Sequence, residues 1–230
     1  MKKTILSTLG AAALFCLCQG QAQAQMLLIS EVYGGGGNAG STYKNDFIEL
    51  YNYGTTAIDM SAYAVYYVQA AAAGTAFTAT ASSQTLLSGI LAPGNYYLIQ
   101  EAAGTAGTTN LPTPNATGSI AISGTGGKVG LGLASTVPTF PVGNVNTGST
   151  NLIDFLGWGG ATSYEGTGSA AATTNPTSIA RTSVLVDANN NATEFAVGAP
   201  TPVPEPSTYA TLGLGVLGMF AVLRARRRTA

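Results

Sequence analysis

Between residues 25 and 200 no apolar pattern keeps the 3.6-residue period of a helix over any length. What recurs instead is a short run of β-branched, aromatic and leucine residues, closed by a cluster of Gly, Pro, Asn, Ser or Thr. Leu27 to Tyr33 runs into Gly34–Gly37, and Phe47 to Tyr51 alternates so that one face is apolar. Ala62 to Val68 holds Tyr63, Val65, Tyr66, Tyr67 and Val68. After a loose Ala/Thr-rich stretch come Leu86 to Leu91, a Pro93-Gly94-Asn95 turn and Tyr96 to Gln100. Ser119 to Ser123 and Lys128 to Leu133 flank Gly124-Thr125-Gly126-Gly127, which reads as a hairpin. Leu152 to Leu156, Ser178 to Val186 and Thr193 to Val197 complete the set. Eight to ten short strands separated by turns predict an all-β sandwich.

The two ends follow other rules. Lys2 and Lys3, the apolar stretch Ile5 to Leu17, and Ala22-Gln23-Ala24 have the three parts of a secretory signal, with Ala22 and Ala24 at the −3 and −1 cleavage positions. A lipoprotein reading of Cys16 or Cys18 meets bulky Phe15 and Leu17 where a small residue is wanted. Cleavage after Ala24 removes both cysteines, so the expected mature body has no disulfide framework and must rely on its core.

At the other end, Val203-Pro204-Glu205-Pro206-Ser207 reads as stiff and extended, because each proline fixes φ and biases its predecessor away from helix. Tyr209 to Leu223 carries no charge, and Arg224, Arg226, Arg227 and Arg228 follow. Such a helix spans roughly 22 Å at 1.5 Å per residue. That is short for a hydrocarbon core of roughly 30 Å, although flanking arginines snorkel to the interface. The arginines are expected to stay cytoplasmic as an anchor, with the body outside. This order of Pro204-Glu205-Pro206, apolar helix and arginine cluster resembles the PEP-CTERM sorting signal of Gram-negative bacteria. The resemblance implies recognition and removal of the tail by a membrane-embedded exosortase, and a place among surface and extracellular-matrix proteins of biofilm-forming bacteria.

Charge is distributed unevenly. Residues 25–206 contain Lys44, Lys128 and Arg181 against ten carboxylates, a formal −7, while the whole chain stands at −1. A body of that sign repels phosphate backbones, so nucleic acid is not an expected partner. It suits solubility and divalent or cationic partners. About 180 residues is ample for one domain with a real core.

Taken together, the strands resemble the lamin tail domain in its bacterial extracellular form. The residues that carry this are Ile29-Ser30-Glu31-Val32-Tyr33 with Gly34–Gly37, then Tyr43-Lys44-Asn45-Asp46-Phe47-Ile48-Glu49-Leu50-Tyr51-Asn52, and Asp59-Met60-Ser61. Gly126-Gly127-Lys128-Val129, Tyr164-Glu165-Gly166, Ser178-Ile179-Ala180-Arg181 and the stretch from Asp187 to Phe195 with Pro200 and Pro202 add to it. Tyr63 departs from the family's more frequent Trp, and Ala70 to Ser83 is looser than the family pattern. The resemblance implies an immunoglobulin-like β-sandwich over residues 25–202, acting as a binding or architectural module. The expected organisation is a signal peptide over 1–24, this sandwich, and a sorting tail over 203–230. The tail divides into a motif at 203–207, a transmembrane helix at 209–223 and a basic end at 224–228. The body leaves no room for a second domain.

Candidate chemistry is sparse. Without histidine, and with cysteine confined to the signal, the body lacks Ser-His-Asp and Cys-His machinery and thiolate or imidazole zinc sites. Gly34–Gly37 has no Lys-Ser/Thr behind it and reads as a turn rather than a phosphate cradle. Paired carboxylates are the remaining catalytic option. Asp46 and Glu49 fall on opposite faces of one strand, whereas Glu31 and Glu49 can sit on neighbouring strands. The bland alternative is that these carboxylates bond backbone N–H groups.

Asp187 to Glu194 has oxygen side chains in a loop, but lacks Gly at position 6 and Glu at position 12 of a calcium loop, so an Asx-rich turn is expected. Arg181, the single arginine of the body, is expected to make a structural salt bridge, with Glu165 a possible partner. Half of the tyrosines are expected in the core, the others being available for a carbohydrate-facing patch. No cofactor, no metal and no catalytic residue is assigned.

The favoured reading is a non-catalytic surface or matrix protein, held in the inner membrane by its tail before processing. Exopolysaccharide or other surface proteins are its expected partners beside exosortase. The alternative is a small secreted carboxylate-dependent hydrolase of glycosidase type, drawing on Glu31, Asp46, Glu49 or Asp154.

Overall fold

The computed structural model describes residues 26–72, 76–147 and 150–203. Two sheets stack face to face. The larger has the order β14-β13-β1-β2-β7-β8, built from β1 (Leu27–Tyr33), β2 (Asn45–Asn52), β7 (Tyr96–Ala103), β8 (Ala116–Thr117), β13 (Ser178–Arg181) and β14 (Phe195–Gly198). The smaller has the order β11-β9-β4-β5, from β4 (Tyr63–Gln69), β5 (Gln84–Leu86), β9 (Gly127–Leu133) and β11 (Leu152–Trp158). Two-residue pairings join β3 (Ile58–Asp59) to β6 (Ile90–Leu91) and β10 (Gly143–Asn144) to β12 (Ser163–Tyr164). A single helical turn, α1 (Asn191–Glu194), precedes β14. Asp59 caps a short 3₁₀ turn, Met60–Ala62, by accepting from the Ser61 N–H.

The main core fills the space between the sheets. Ile29, Ile48, Leu50, Ile99 and Ile179 come from the large sheet, and Val65, Tyr67, Val129, Leu131, Leu156 and Trp158 from the small one. Alternation would leave each sheet's other face wet, but loops cover both. Ala64, Tyr66, Phe77, Phe140, Val145, Leu152 and Phe155 form a second core outside the small sheet. Tyr33, Phe47 and Leu98, with Tyr43 and Leu111 against them, form a third outside the large one. Strands buried on two faces lose the in/out alternation of a half-exposed sheet, which is why all seven residues of β1 are buried.

Four sequence expectations need correction. Ser119 to Ser123 is not a strand and forms no hairpin with Lys128 to Leu133. β9 pairs instead with β4 and β11. The 119–123 backbone has other acceptors: Ile120 N–H donates to Glu101 Oε2 and Ile122 N–H to Asp46 Oδ2, each at 2.9 Å. Carboxylates thus do what a neighbouring strand would. The strand expected over Ser178 to Val186 stops at Arg181, and Leu86 to Leu91 splits between β5 and β6. The strand expected over Thr193 to Val197 starts only at Phe195, because Thr193 and Glu194 close the helical turn α1, where Glu194 N–H donates to the Asn190 carbonyl.

The glycine run at 34–37 is a crossing of backbones as well as a turn. A Cβ on Gly35 would lie 2.0 Å from the Asn175 carbonyl oxygen, and one on Gly37, which sits at φ +65°, would lie 2.2 Å from Gly104 Cα. Only glycine allows chains to pass so closely.

Candidate functional site

Seven of the nine carboxylates among the described residues are buried. Charge out of water requires compensation, and most of it comes from the chain's own backbone. Asp46 accepts from Gly36 and Ile122, and Glu101 from Ile120 and the Thr85 hydroxyl. Burial pushes both carboxyls up to about 7, against the pull of those hydrogen bonds. Glu194 accepts from the Ala188 and Asn190 N–H groups.

Arg181 and Asp154 join the two sheets. β1 carries a bulge between Ile29 and Glu31, and β11 an irregularity between Leu152 and Asp154. At the bulge, Ile29 N–H donates to Asp154 Oδ2 at 2.6 Å, and Arg181 Nε donates to the Ile29 carbonyl at 3.1 Å. Arg181 Nη2 reaches both Asp154 oxygens, at 3.1 and 2.9 Å, while Nη1 reaches Glu194 at 3.0 Å and Asp187 at 3.4 Å. The guanidinium also lies over the Phe195 ring, 4.5 Å from its centroid. The structural salt bridge expected of Arg181 is present, but its partners are Asp154, Glu194 and Asp187 rather than Glu165.

Asp154, Glu165 and Asp187 bring carboxylate oxygens within 4.8 Å of one another. Arg181 already supplies the positive charge such a group needs, and Asp154 is fully engaged by Arg181, Ile29 and Phe155. Among the described residues Glu165 accepts from Asn191 Nδ2 alone, and its Oε1 has no partner. Burial, reinforced by the neighbouring Asp154 charge, pushes its carboxyl up to about 9, so it is neutral at pH 7. The loop from Asp187 is an Asx turn, with Asn189 N–H donating to Asp187 Oδ1 and Asn189 at φ +53°.

Glu31 and Glu49 are direct register partners on β1 and β2. Both point to the outer face of the large sheet, the face of Tyr33 and Phe47, because Ile48 and Leu50 occupy the core. They are 3% and 2% exposed, yet among the described residues no cation is paired with either. Glu31 accepts from Thr201 N–H and Thr201 Oγ1, both at 3.0 Å. Glu49 accepts from Val203 N–H at 2.7 Å and from Ser30 Oγ at 3.0 Å. Burial, and then the facing Glu31 charge, raise Glu49 to about 8; burial raises Glu31 as well. The candidate catalytic pair does come together, but against the chain that leaves the sandwich. Nothing local in the sequence links residues 170 and 154 positions apart. The available signal was two acids inside otherwise apolar strands.

Trp158 is in the main core, its Nε1 donating to Thr173 Oγ1, so it offers no sugar platform. Tyr33, Tyr66, Tyr67 and Tyr97 are buried; Tyr51 and Tyr96 are half-buried, their rings 4.7 Å apart and tilted by 47°. Lys128 is buried, its Nζ donating to the Ala72 carbonyl and Thr162 Oγ1 at 2.7 Å. Ala22, Ala24, Pro204, Glu205, Pro206, Arg224, Arg226, Arg227 and Arg228 lie outside the described residues, as does the helix expected at 209–223. Among the described residues no helix is long and apolar enough to cross a membrane.

Comparison with known families matches residues 20–196 to the lamin tail domain and residues 202–228 to the PEP-CTERM protein-sorting motif. No curated protein matches. Among solved structures, a DUF4876 family protein from Bacteroides thetaiotaomicron VPI-5482 is similar at 13% identity and a TM-score of 0.47, over 77% of this chain and 72% of that one. With its two-sheet sandwich and a family match over most of its length, the chain belongs to the lamin tail domain family and ends in a PEP-CTERM sorting motif.

Proposed function

We propose that this protein is an exported, non-catalytic surface or extracellular-matrix protein, a lamin-tail module sorted by an exosortase-type membrane protease. The signal at 1–24 directs export, with Ala22 and Ala24 at the cut. The sandwich over 25–202 is the working part. The tail over 203–230 holds it in the inner membrane by one helix, 209–223, with Arg224, Arg226, Arg227 and Arg228 on the cytoplasmic side, until the protease acts at Pro204-Glu205-Pro206.

The observation that carries this reading is the succession of a lamin tail domain and a sorting motif, the first matched to residue 196 and the second from residue 202. The carboxylates support the non-catalytic part. Glu31, Asp46, Glu49 and Asp154, the four that a hydrolase would draw on, all bond the chain's own backbone N–H groups. The half-buried Tyr51–Tyr96 pair, on a sheet with no exposed cation cluster among the described residues, suits a neutral polysaccharide better than a nucleic acid.

The test is retention against turnover. The full chain, purified in detergent, is passed over matrix polysaccharide and assayed for new reducing ends. Retention without hydrolysis supports the proposal. Hydrolysis abolished by Glu31→Gln or Glu49→Gln would replace it with the glycosidase reading.

A further inference from the structure

From Ala199 onward the sequence reads Pro200-Thr201-Pro202-Val203-Pro204-Glu205-Pro206, a proline at every second position. Proline has no N–H, so residues 200–203 own two backbone donors, those of Thr201 and Val203. Both are taken, by Glu31 and Glu49 respectively. The prolines between them, Pro200 and Pro202, are buried. The segment therefore crosses the large sheet at an angle to its strands, passing from Glu31 on β1 to Glu49 on β2. On the next strand, β7, the residue facing Glu49 is Leu98, which has no acceptor to offer a third donor. Among the described residues the hold runs to Val203, the residue before Pro204.

We propose that Glu31 and Glu49 are positioning residues for tail removal: they lock the root of the tail, residues 200–203, onto the sheet. The protease then reaches the chain no further upstream than Pro204, and the processed protein keeps Val203 bound to its own body. This rests on the sorting reading given above. The physical reason is that a protease takes its substrate as an extended strand through backbone donors and acceptors. At Thr201 and Val203 those donors are already committed to buried carboxylates. Both bonds are made out of water, at 3.0 and 2.7 Å, and an enzyme cleft would have to break them before it could take the strand. Carboxylates without a cation partner are otherwise a costly choice for a sheet face, and the two donors before the motif give them a use.

The test compares two variants of the full chain in detergent micelles. E31Q/E49Q keeps both acceptors and removes the charge; E31L/E49L keeps the volume and removes the acceptors. Amide exchange at Thr201 and Val203 is followed beside Val32 and Ile48, which report on the sheet itself. Wild type and E31Q/E49Q are expected to exchange at Thr201 and Val203 at least about 100-fold more slowly than a free peptide, and E31L/E49L within about tenfold of it. Should E31L/E49L fail to hold its sheet, the single variant E49L reads Val203 alone. In the native host, the mature wild-type protein is expected to contain Val203 at or near its new end.

Fast exchange at Thr201 and Val203 in wild type, or a mature end upstream of Val203, overturns the proposal. An uncut wild type with slow amides at both positions overturns the positioning role through the sorting reading, leaving the hold itself intact. The two failures are thus told apart.

Discussion

Arg181 Nη2 lies 2.9 Å from Asp154 Oδ2, with both side chains wholly buried, and the two also take the N–H and C=O that the β1 bulge frees at Ile29. The pair joins β13 of one sheet to β11 of the other. A buried ion pair is weak grounds for stability when compared with well-packed apolar residues, but removing one partner strands the other.

Arg181→Ala is therefore expected to lower unfolding stability by about 3–5 kcal/mol, measured by urea denaturation. Arg181→Lys is expected to recover little of the loss, because an ammonium cannot serve Asp154, Glu194 and the Ile29 carbonyl from one planar fork. A loss under about 1 kcal/mol for Arg181→Ala would contradict this account of the bulge.

Gly35 provides a separate test of the backbone crossing. Ala at this position puts its Cβ 2.0 Å from a backbone oxygen that belongs to a distant segment, so the two chains must part. Gly35→Ala is expected to cost about 3 kcal/mol, the upper part of the range for overpacking. Gly168→Ala, with nothing within 4 Å and no positive φ, is the control and is expected to be neutral. Similar melting curves for both variants would show that the crossing relaxes freely.

Stability should fall as pH rises through neutrality. Asp46 and Glu101 sit near 7 and Glu49 near 8, each raised first by burial; Glu31 is raised too. Facing Glu49 and Glu31 on the outer sheet is Tyr96 from β7, itself raised by burial and then by the Glu49 charge. A carboxyl whose folded value is raised contributes stability fully below its unfolded value near 4. That contribution is lost as pH climbs through the folded value. Each group costs about 1.4 kcal/mol per pH unit inside that window. The melting temperature is expected to be higher at pH 5 than at pH 9, with most of the decline before pH 8. A flat or rising profile would show that the backbone donors hold these groups ionised throughout.

Elements whose signal is local were legible in the sequence. β1, β2, β4, β7, β9 and β11 follow from their β-branched and aromatic runs, and the sorting motif from the linear order of its parts. What escaped is where a distant side chain stands in for a sheet neighbour. Ser119 to Ser123 has strand composition, but Glu101 and Asp46 take its donors, so it never joins a ladder. Sequence left Glu165 as a possible partner for Arg181, whereas the two-sheet geometry gives it Asp154. The hold of Glu31 and Glu49 on the tail root spans nearly the whole body, and periodicity has no view of contacts at that range.

The central claim is that this lamin-tail sandwich is exported and then released from a membrane tail by a protease that reads Pro204, Glu205 and Pro206. Intact mass and cell fraction of the protein from its own host test it most directly, with a P204A/E205A/P206A variant beside it. The account predicts a wild type that has lost both ends and lies outside the inner membrane, with the variant uncut and retained there. A wild type that keeps its tail and fractionates with the variant would contradict it, leaving an envelope protein anchored by its C-terminal end.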